Sequence, residues 1–161
     1  LVSVLPEDIA IQSIPLMENH LFLVGSSSNR GKIKSIRDLS KVTLIYRESG
    51  SATRNAMESF LRSQDIQPGK QMELVSNEAV KQAVKAGICF SSMPLIGLRN
   101  VLESGSMEVF PIKGLPLTTQ WNLVYNKGKS LSPAHLELIK FIQENNSQII
   151  EAEFGWTKDY I

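Results

Sequence analysis

Short apolar runs alternate along the chain with segments whose apolar residues recur at helical spacing. From residue 21 onward, the runs that predict buried strands are 21–24, 42–46, 72–75, 88–93, 107–112 and 121–125. The spacing predicts helices at 52–63, 77–86 and 94–105, a short helical turn at 35–39, and a last long helix starting at Ser132-Pro133. Ser76 or Asn77 is predicted to cap the helix at 77–86. This alternation is typical of an α/β fold, with a largely parallel sheet and helices on both of its faces.

Two segments interrupt the alternation. One is extended, between Pro6 and Pro15, and the other is Gly114-Leu115-Pro116-Leu117. We interpret them as two crossings between lobes. The sequence therefore predicts a division into 1–20 (the end of one lobe and the first crossing), 21–119 (a compact second lobe) and 120–161 (the second crossing, with return to the first lobe).

The stretch Arg47-Glu48-Ser49-Gly50-Ser51-Ala52-Thr53-Arg54 joins a predicted strand to a predicted helix. The first amides of a helix lack partners within it, and the helix dipole is positive at that end. A turn of serine and glycine lets an oxyanion approach these amides, and the flanking Arg47 and Arg54 could add charge-assisted contacts. The alternative is a helix capped by Ser49 or Ser51 with surface arginines, which spacing alone favours because cap residues are common.

Composition narrows the chemistry. The 161 residues carry 17 basic and 16 acidic side chains, a net charge of +1, which leaves no basic footprint for nucleic acid. The single cysteine, Cys89, excludes an internal disulfide and lies in an apolar run that predicts burial. With only two separated histidines, His20 and His135, no metal-ligand spacing is present, and no metal or cofactor is expected.

The sequence contains none of the catalytic or nucleotide-binding motifs that we considered. Gly128-Lys129-Ser130 resembles the end of a phosphate-binding loop, but the glycine required five positions earlier is Leu123. No G-x-G-x-x-G or G-x-S-x-G pattern occurs, so no enzyme is expected. Without a secretory signal or an apolar run of membrane-spanning length, the expected location is cytoplasmic.

Several stretches, in order along the chain, resemble the C-terminal part of LysR-type transcriptional regulators. The loop 47–54 is close to the R-E-x-G-S-G-T-R signature of a subset of that family. The other matching stretches are 14–16 with 20–24, 35–39, 77–87, Met93-Pro94, and Leu131-Ser132-Pro133-Ala134 with the helix behind it.

The resemblance implies a type 2 periplasmic-binding-protein-like α/β fold, with a three-layer αβα lobe and part of a second lobe. It implies a small anionic metabolite bound between lobes, and no catalytic residue. The implied effector-binding residues are Arg47, Glu48, Ser49, Gly50, Ser51, Asn77, Met93 and Pro94. Thr53 and Arg54 are expected to support the loop, and the family pattern implies a homodimer or homotetramer.

The chain departs from the family pattern at three places. It begins where the first lobe would be half complete, so DNA contact is expected only through an N-terminal helix-turn-helix outside this sequence. Ala86-Gly87-Ile88-Cys89-Phe90 stands where the family has Ala-Gly-Leu-Gly-Ile, and Cys89 would narrow the cleft or alter its floor. The tail 149–161 does not align with the family. The alternative function is a solute-binding protein of a transporter with the same fold.

Overall fold

The structure is a computed structural model that describes residues 2–5 and 10–161. The chain divides into two compact units, one formed by Leu1–Asn19 with Thr119–Ile161 and the other by His20–Thr118. The assignment of these units to regulatory lobes stays a prediction, and part of the extended segment predicted after Pro6 lies outside the described residues. The strands are β1 (Ile11–Ser26), β2 (Thr43–Tyr46), β3 (Lys70–Glu73), β4 (Ser91–Pro94), β5 (Met107–Val109) and β6 (Leu117–Asn126), and the helices are α1 (Ala52–Ser63), α2 (Asn77–Lys85), α3 (Arg99–Glu103) and α4 (Pro133–Phe154).

The sheet of the His20–Thr118 unit has the order β3-β2-β4-β1-β5. β2 and β3 pair in parallel from Thr43 opposite Lys70 onward. A parallel bridge between Leu44 and Phe90 joins β2 to the residue before β4, where the Ile45 amide donates to the Phe90 carbonyl across 2.9 Å. β1 pairs antiparallel with both β4 and β5. The predicted parallel arrangement is therefore wrong for β1, because this strand runs antiparallel to both of its neighbours.

Helices α1 and α2 cover opposite faces of this sheet. From β2 the chain runs through α1 to β3, and from β3 it returns through α2 past β2 to β4; right-handed connections in opposite directions place their helices on opposite faces. On one face, Leu44 of β2 shares a buried cluster with Met57 and Leu61 of α1. Val80 and Val84 of α2 are equally buried but stand outside that cluster.

The helix ends follow the local sequence. Ser76 occupies the N-cap of α2, and its hydroxyl accepts from the Ala79 amide across 3.1 Å, as one of the two predicted caps requires. Ser132 caps α4 in the same way, with Pro133 in the first turn. α1 ends in a Schellman motif: Asp65 has φ of 55°, and the Ile66 amide donates to the Leu61 carbonyl across 2.9 Å.

Two predicted elements differ from the structure. The strand expected at 72–75 is Lys70–Glu73, an exposed strand at the edge of the sheet whose hydrophobic pattern is weak. Pro94 was expected to open a helix but is the last residue of β4, paired opposite Leu21. A 3₁₀ turn and the short α3 follow instead, since Gly97 interrupts the helical run.

In the other unit, β6 pairs with β1, and Val2 forms an antiparallel bridge with Asn122. At the ends of its two segments, Asn19 Nδ2 donates to Thr119 Oγ1 across 3.1 Å, and Thr119 Oγ1 donates back to the Asn19 carbonyl across 3.2 Å. The tail forms a 3₁₀ helix, Gly155–Tyr160, in which two aromatic rings meet edge to face. Within residues 2–5 and 10–161, no helix has both the length and the apolar character that a membrane span requires.

Candidate functional site

The candidate residues gather at the carboxyl ends of parallel strands. β2 runs into the loop 47–51, β3 leads to Ser76 and Asn77, and β4 ends at Pro94. β2 and β3 are parallel, and the residue before β4 forms a parallel bridge with β2, so the carboxyl ends of these three strands lie at the same end of the sheet. The connection from β2 to β3 and the connection from β3 back past β2 to β4 run in opposite directions across the sheet. Such a reversal is a topological switch point, and ligands of α/β sheets bind at the carboxyl ends of the strands beside it.

The loop before α1 is a tight turn that exposes its backbone. The Ser51 amide donates to the Glu48 carbonyl across 3.1 Å, and Gly50 has φ of 86°, the geometry of a type II turn. Ser51 occupies the N-cap position, yet its side chain makes no capping hydrogen bond. Of the two predicted cap residues, Ser51 therefore has the N-cap position, but the first amides of α1 receive no acceptor from its side chain.

Arg47 joins the starts of two helices. Its Nε and Nη2 donate to the two carboxylate oxygens of Glu48, each across 2.7 Å, and its Nη1 donates to Asn77 Oδ1 across 2.6 Å. The hydrogen bonds between them lower the pKa of Glu48 and raise that of Arg47. The structure thus brings three predicted site residues together, with the charge of Arg47 paired to a neighbouring carboxylate.

Arg54 supports this loop from behind. Its Nη1 donates to the Arg47 carbonyl across 3.3 Å, while its Nε donates to Glu58 across 2.7 Å and its Nη1 also pairs with Glu73. The guanidinium lies over the ring of Tyr46, 5.7 Å from the centroid. All of these contacts are internal to the unit, so Arg54 fixes where β2 ends and where the loop begins.

Met93 and Pro94 lie at the same edge but differ in exposure. The Met93 side chain is 5% exposed and pairs opposite Phe22, so it belongs to the core. Pro94, half-buried, is the member of this pair that lies at the end of the strand. Sequence reasoning missed the residue before them: the buried hydroxyl of Ser92 has no hydrogen-bond partner in the described part of the chain. No motif marks it, because the adjacent Ser91 carries the same hydroxyl and donates to the Ile45 carbonyl.

Cys89 is 1% exposed, which confirms the predicted burial. Burial raises the pKa of its thiol to about 11, so the group stays protonated. In the ranges 2–5 and 10–161, no group of three or more histidine, cysteine or acidic side chains is placed to hold a metal ion.

Comparisons with known proteins show the family to which the chain belongs. A family model described as the LysR substrate binding domain matches residues 1–147. A RuBisCO operon transcriptional regulator of Allochromatium vinosum is 37% identical over 139 residues, which is 83% of this chain and 45% of that protein. The HTH-type transcriptional activator CmpR of Synechocystis is 35% identical over 130 residues, 79% of this chain and 43% of that protein.

The fold has a solved counterpart in the CcmR regulatory domain of Synechocystis PCC6803, determined in complex with 2-PG. The two share 26% identity and a TM-score of 0.82, over 90% of this chain and 71% of that one. The chain spans less than half the length of the curated relatives described above. It belongs to the LysR substrate-binding domain family and has the periplasmic-binding-protein-like α/β fold of that family's regulatory domains.

Proposed function

We propose that this chain is the effector-sensing part of a LysR-type transcription regulator and that it takes a small anionic metabolite at the 47–51 loop. The observation that carries the proposal is the hydrogen bond from Arg47 to Asn77, which joins the starts of α1 and α2 at one edge of the sheet. Two positive helix ends then face the same place, and amides at helix starts bind oxyanions.

The pairing of Arg47 with Glu48 explains how a ligand would be exchanged. An incoming carboxylate or phosphate presents the same two oxygens as Glu48 and can replace it on the planar guanidinium. Glu48 is partly exposed, so its displaced carboxylate can return to water. In this proposal the ligand takes the place of Glu48 on Arg47.

The relatives favour a regulator over the transporter protein that was the alternative. The two relatives described above, the RuBisCO operon regulator and CmpR, are both transcription regulators, and neither is named as an enzyme or a transport component. The regulatory domain of CcmR binds 2-PG. We extend from these relatives a cytoplasmic location, assembly as a dimer or tetramer, and DNA contact through a helix-turn-helix outside this sequence.

The test measures the melting temperature with inorganic phosphate, with 2-PG and with glycerol as the uncharged control. A ligand at about one hundred times its Kd stabilises a protein by about 2.7 kcal/mol. We expect phosphate or 2-PG to raise the melting temperature and glycerol to leave it unchanged at the same concentration.

Two matched variants locate the effect. Ser49→Glu places a carboxylate on the exposed turn and should abolish the rise, because like charges repel. Ser147→Glu adds the same charge on the exposed surface of α4 and should leave it intact. An undiminished rise in Ser49→Glu would reject this loop as the site, and no rise with either anion in the parent chain would reject the anionic effector.

A further inference from the structure

A cavity in the His20–Thr118 unit lies apart from the residues of the 47–51 loop. It has a volume of about 350 Å³, within the range of roughly 300–1,000 Å³ that small-molecule sites occupy. It lies between the last turns of α1, the loop that follows them, and the edge strand β3. Its apolar lining comes from Leu61, Ile66 and Pro68, and its polar lining from Tyr46, Glu58, Arg62, Asp65, Gln67 and Gln71.

Tyr46 lines this cavity, and its hydroxyl forms no hydrogen bond within the described residues, 2–5 and 10–161. The residue as a whole is 5% exposed. Its hydroxyl oxygen is accessible to solvent. Burial raises the pKa of Tyr46 to about 12, so the group is a neutral phenol that can donate. Because the ring is held in the core while the hydroxyl is accessible, Tyr46 offers a positioned donor to the carboxylate of a ligand.

The cavity also offers one charge of each sign. Neither the guanidinium of Arg62 nor the carboxylate of Asp65 forms an ion pair within the described part of the chain, whereas Glu58 is held by Arg54. Asp65 lies at the helix position where glycine is usual, with φ of 55°, and the chain there places a carboxylate instead. A ligand that satisfies both charges must carry an anionic and a cationic group.

We propose that this cavity binds a free α-amino acid with an apolar side chain. Its carboxylate accepts from Tyr46 and Arg62, its ammonium group pairs with Asp65, and its side chain lies on Leu61 and Ile66. Occupancy is relayed to the first site by a short path. Tyr46 immediately precedes Arg47, and Arg54 contacts both, over the ring of one and on the carbonyl of the other.

The test is an amide NMR titration of the 161-residue chain with L-leucine. Two analogues remove one charge each: 4-methylpentanoate lacks the ammonium group and isopentylamine lacks the carboxylate. We expect L-leucine to shift the amides of Tyr46 and of the residues around Asp65, and each analogue to bind at least about tenfold more weakly, since one charged contact is lost. Absence of these shifts, or equal binding of the analogues, would overturn the proposal.

Two variants that spare the fold sharpen the result. Tyr46→Phe removes a hydroxyl that bonds to nothing in the described chain, and Asp65→Asn keeps a residue type that tolerates positive φ. Each should raise the Kd for L-leucine by roughly three- to tenfold. Tyr160→Phe, at an exposed ring in the tail, should leave the Kd unchanged. Equal Kd values in all three variants would place the amino acid elsewhere and reject this cavity.

The outcome is independent of the first proposal. Inorganic phosphate is titrated in the same experiment and should shift the amides of 49–53 rather than those of the cavity. L-leucine binding without phosphate binding would leave the second site standing alone. If L-leucine fails to bind and a second copy of the chain is found over the cavity by its intermolecular contacts, the amino-acid site is rejected while the effector loop is not.

Discussion

Arg47 donates to Asn77 across 2.6 Å, although the two residues are thirty positions apart in the sequence. The contact spans from the end of β2 to the first turn of α2, so the starts of α1 and α2 are held at a fixed separation. Because Arg47 also donates to both carboxylate oxygens of Glu48, one guanidinium joins the two helix starts and holds the neighbouring carboxylate.

Asn77→Asp should weaken binding of inorganic phosphate several-fold. The added carboxylate would replace the amide oxygen on Arg47, so that two anions compete with the ligand for one guanidinium. Asn100→Asp, which adds the same charge at the exposed start of α3, should not change phosphate binding. Calorimetric titration at low salt compares the two variants. Equal phosphate affinity in both would show that Asn77 has no part in the site.

Gly50→Ala should lower the free energy of unfolding by roughly 1–2 kcal/mol, because φ of 86° is unfavourable for a residue with a Cβ atom. Gly97→Ala is the matched control, since a Cβ at either position meets open space but Gly97 does not have positive φ. Urea denaturation measures both. A loss of the same size at Gly97 would mean that the cost arises from something other than the backbone conformation of the turn.

Met57→Ala should destabilise the His20–Thr118 unit by roughly 2–5 kcal/mol, the range for truncating a buried large side chain. Met57 is 1% exposed and belongs to the cluster between α1 and the sheet. Met72→Ala on the edge strand removes the same atoms from a side chain that is 46% exposed, and should cost much less. Similar losses in the two variants, by urea denaturation, would contradict the described core.

The carboxylate of Asp38 should make stability depend on pH in the acid range. Hydrogen bonds lower its pKa from 3.8 to about 2, the largest contribution coming from the Lys34 amide, followed by Lys41 and Ser35. Because the pKa in the folded state is the lower one, the stabilisation is present above about pH 4 and is lost as the pH falls towards 2.

The measurement compares the parent chain with Asp38→Asn by urea denaturation between pH 2 and pH 7. The parent should be the more stable at neutral pH, and the difference should shrink as the pH approaches 2. A constant difference across this interval would show that the charge of Asp38 is not what stabilises the turn. Asp159→Asn in the exposed tail serves as the control and should give no difference at any pH.

Cys89 should react with a thiol reagent at pH 8 only when the chain opens. The thiol is buried and its pKa is raised to about 11, so neither access nor the thiolate form favours attack. Labelling with an aromatic disulfide reagent should be slow in buffer and complete within minutes in concentrated urea. Fast labelling of the folded chain would contradict the burial of Cys89.

Local features of the structure could be predicted where neighbouring residues determine them. The cap at Ser76 and the start of α4 at Ser132-Pro133 depend on a few adjacent side chains, and both predictions are confirmed. The exposure of Met72 and the place of Pro94 depend on which strands lie beside them, so the pattern within each run was insufficient.

Contacts between residues far apart in the sequence could not be predicted either, because the local pattern does not show which segments lie next to each other. β1 begins at Ile11, ten residues before the apolar run that predicts it, because residues 11–18 include no fully buried side chain and β1 also pairs with β6. In the candidate site, two separate stretches that resemble the family indicated Arg47 and Asn77, but neither stretch indicated the hydrogen bond between them. The missing partner of Ser92 is likewise visible only once the residues around it are placed.

The reciprocal hydrogen bonds between Asn19 and Thr119 set the point at which the chain leaves and re-enters one unit. The unit from His20 to Thr118 is one uninterrupted stretch of chain, and the residues that flank its two ends, Asn19 and Thr119, contact each other. Two cuts there would release that stretch as a cassette, without dividing the interior of either unit. Recombination between related genes at those two points exchanges the whole stretch while the remainder of the protein is inherited unchanged.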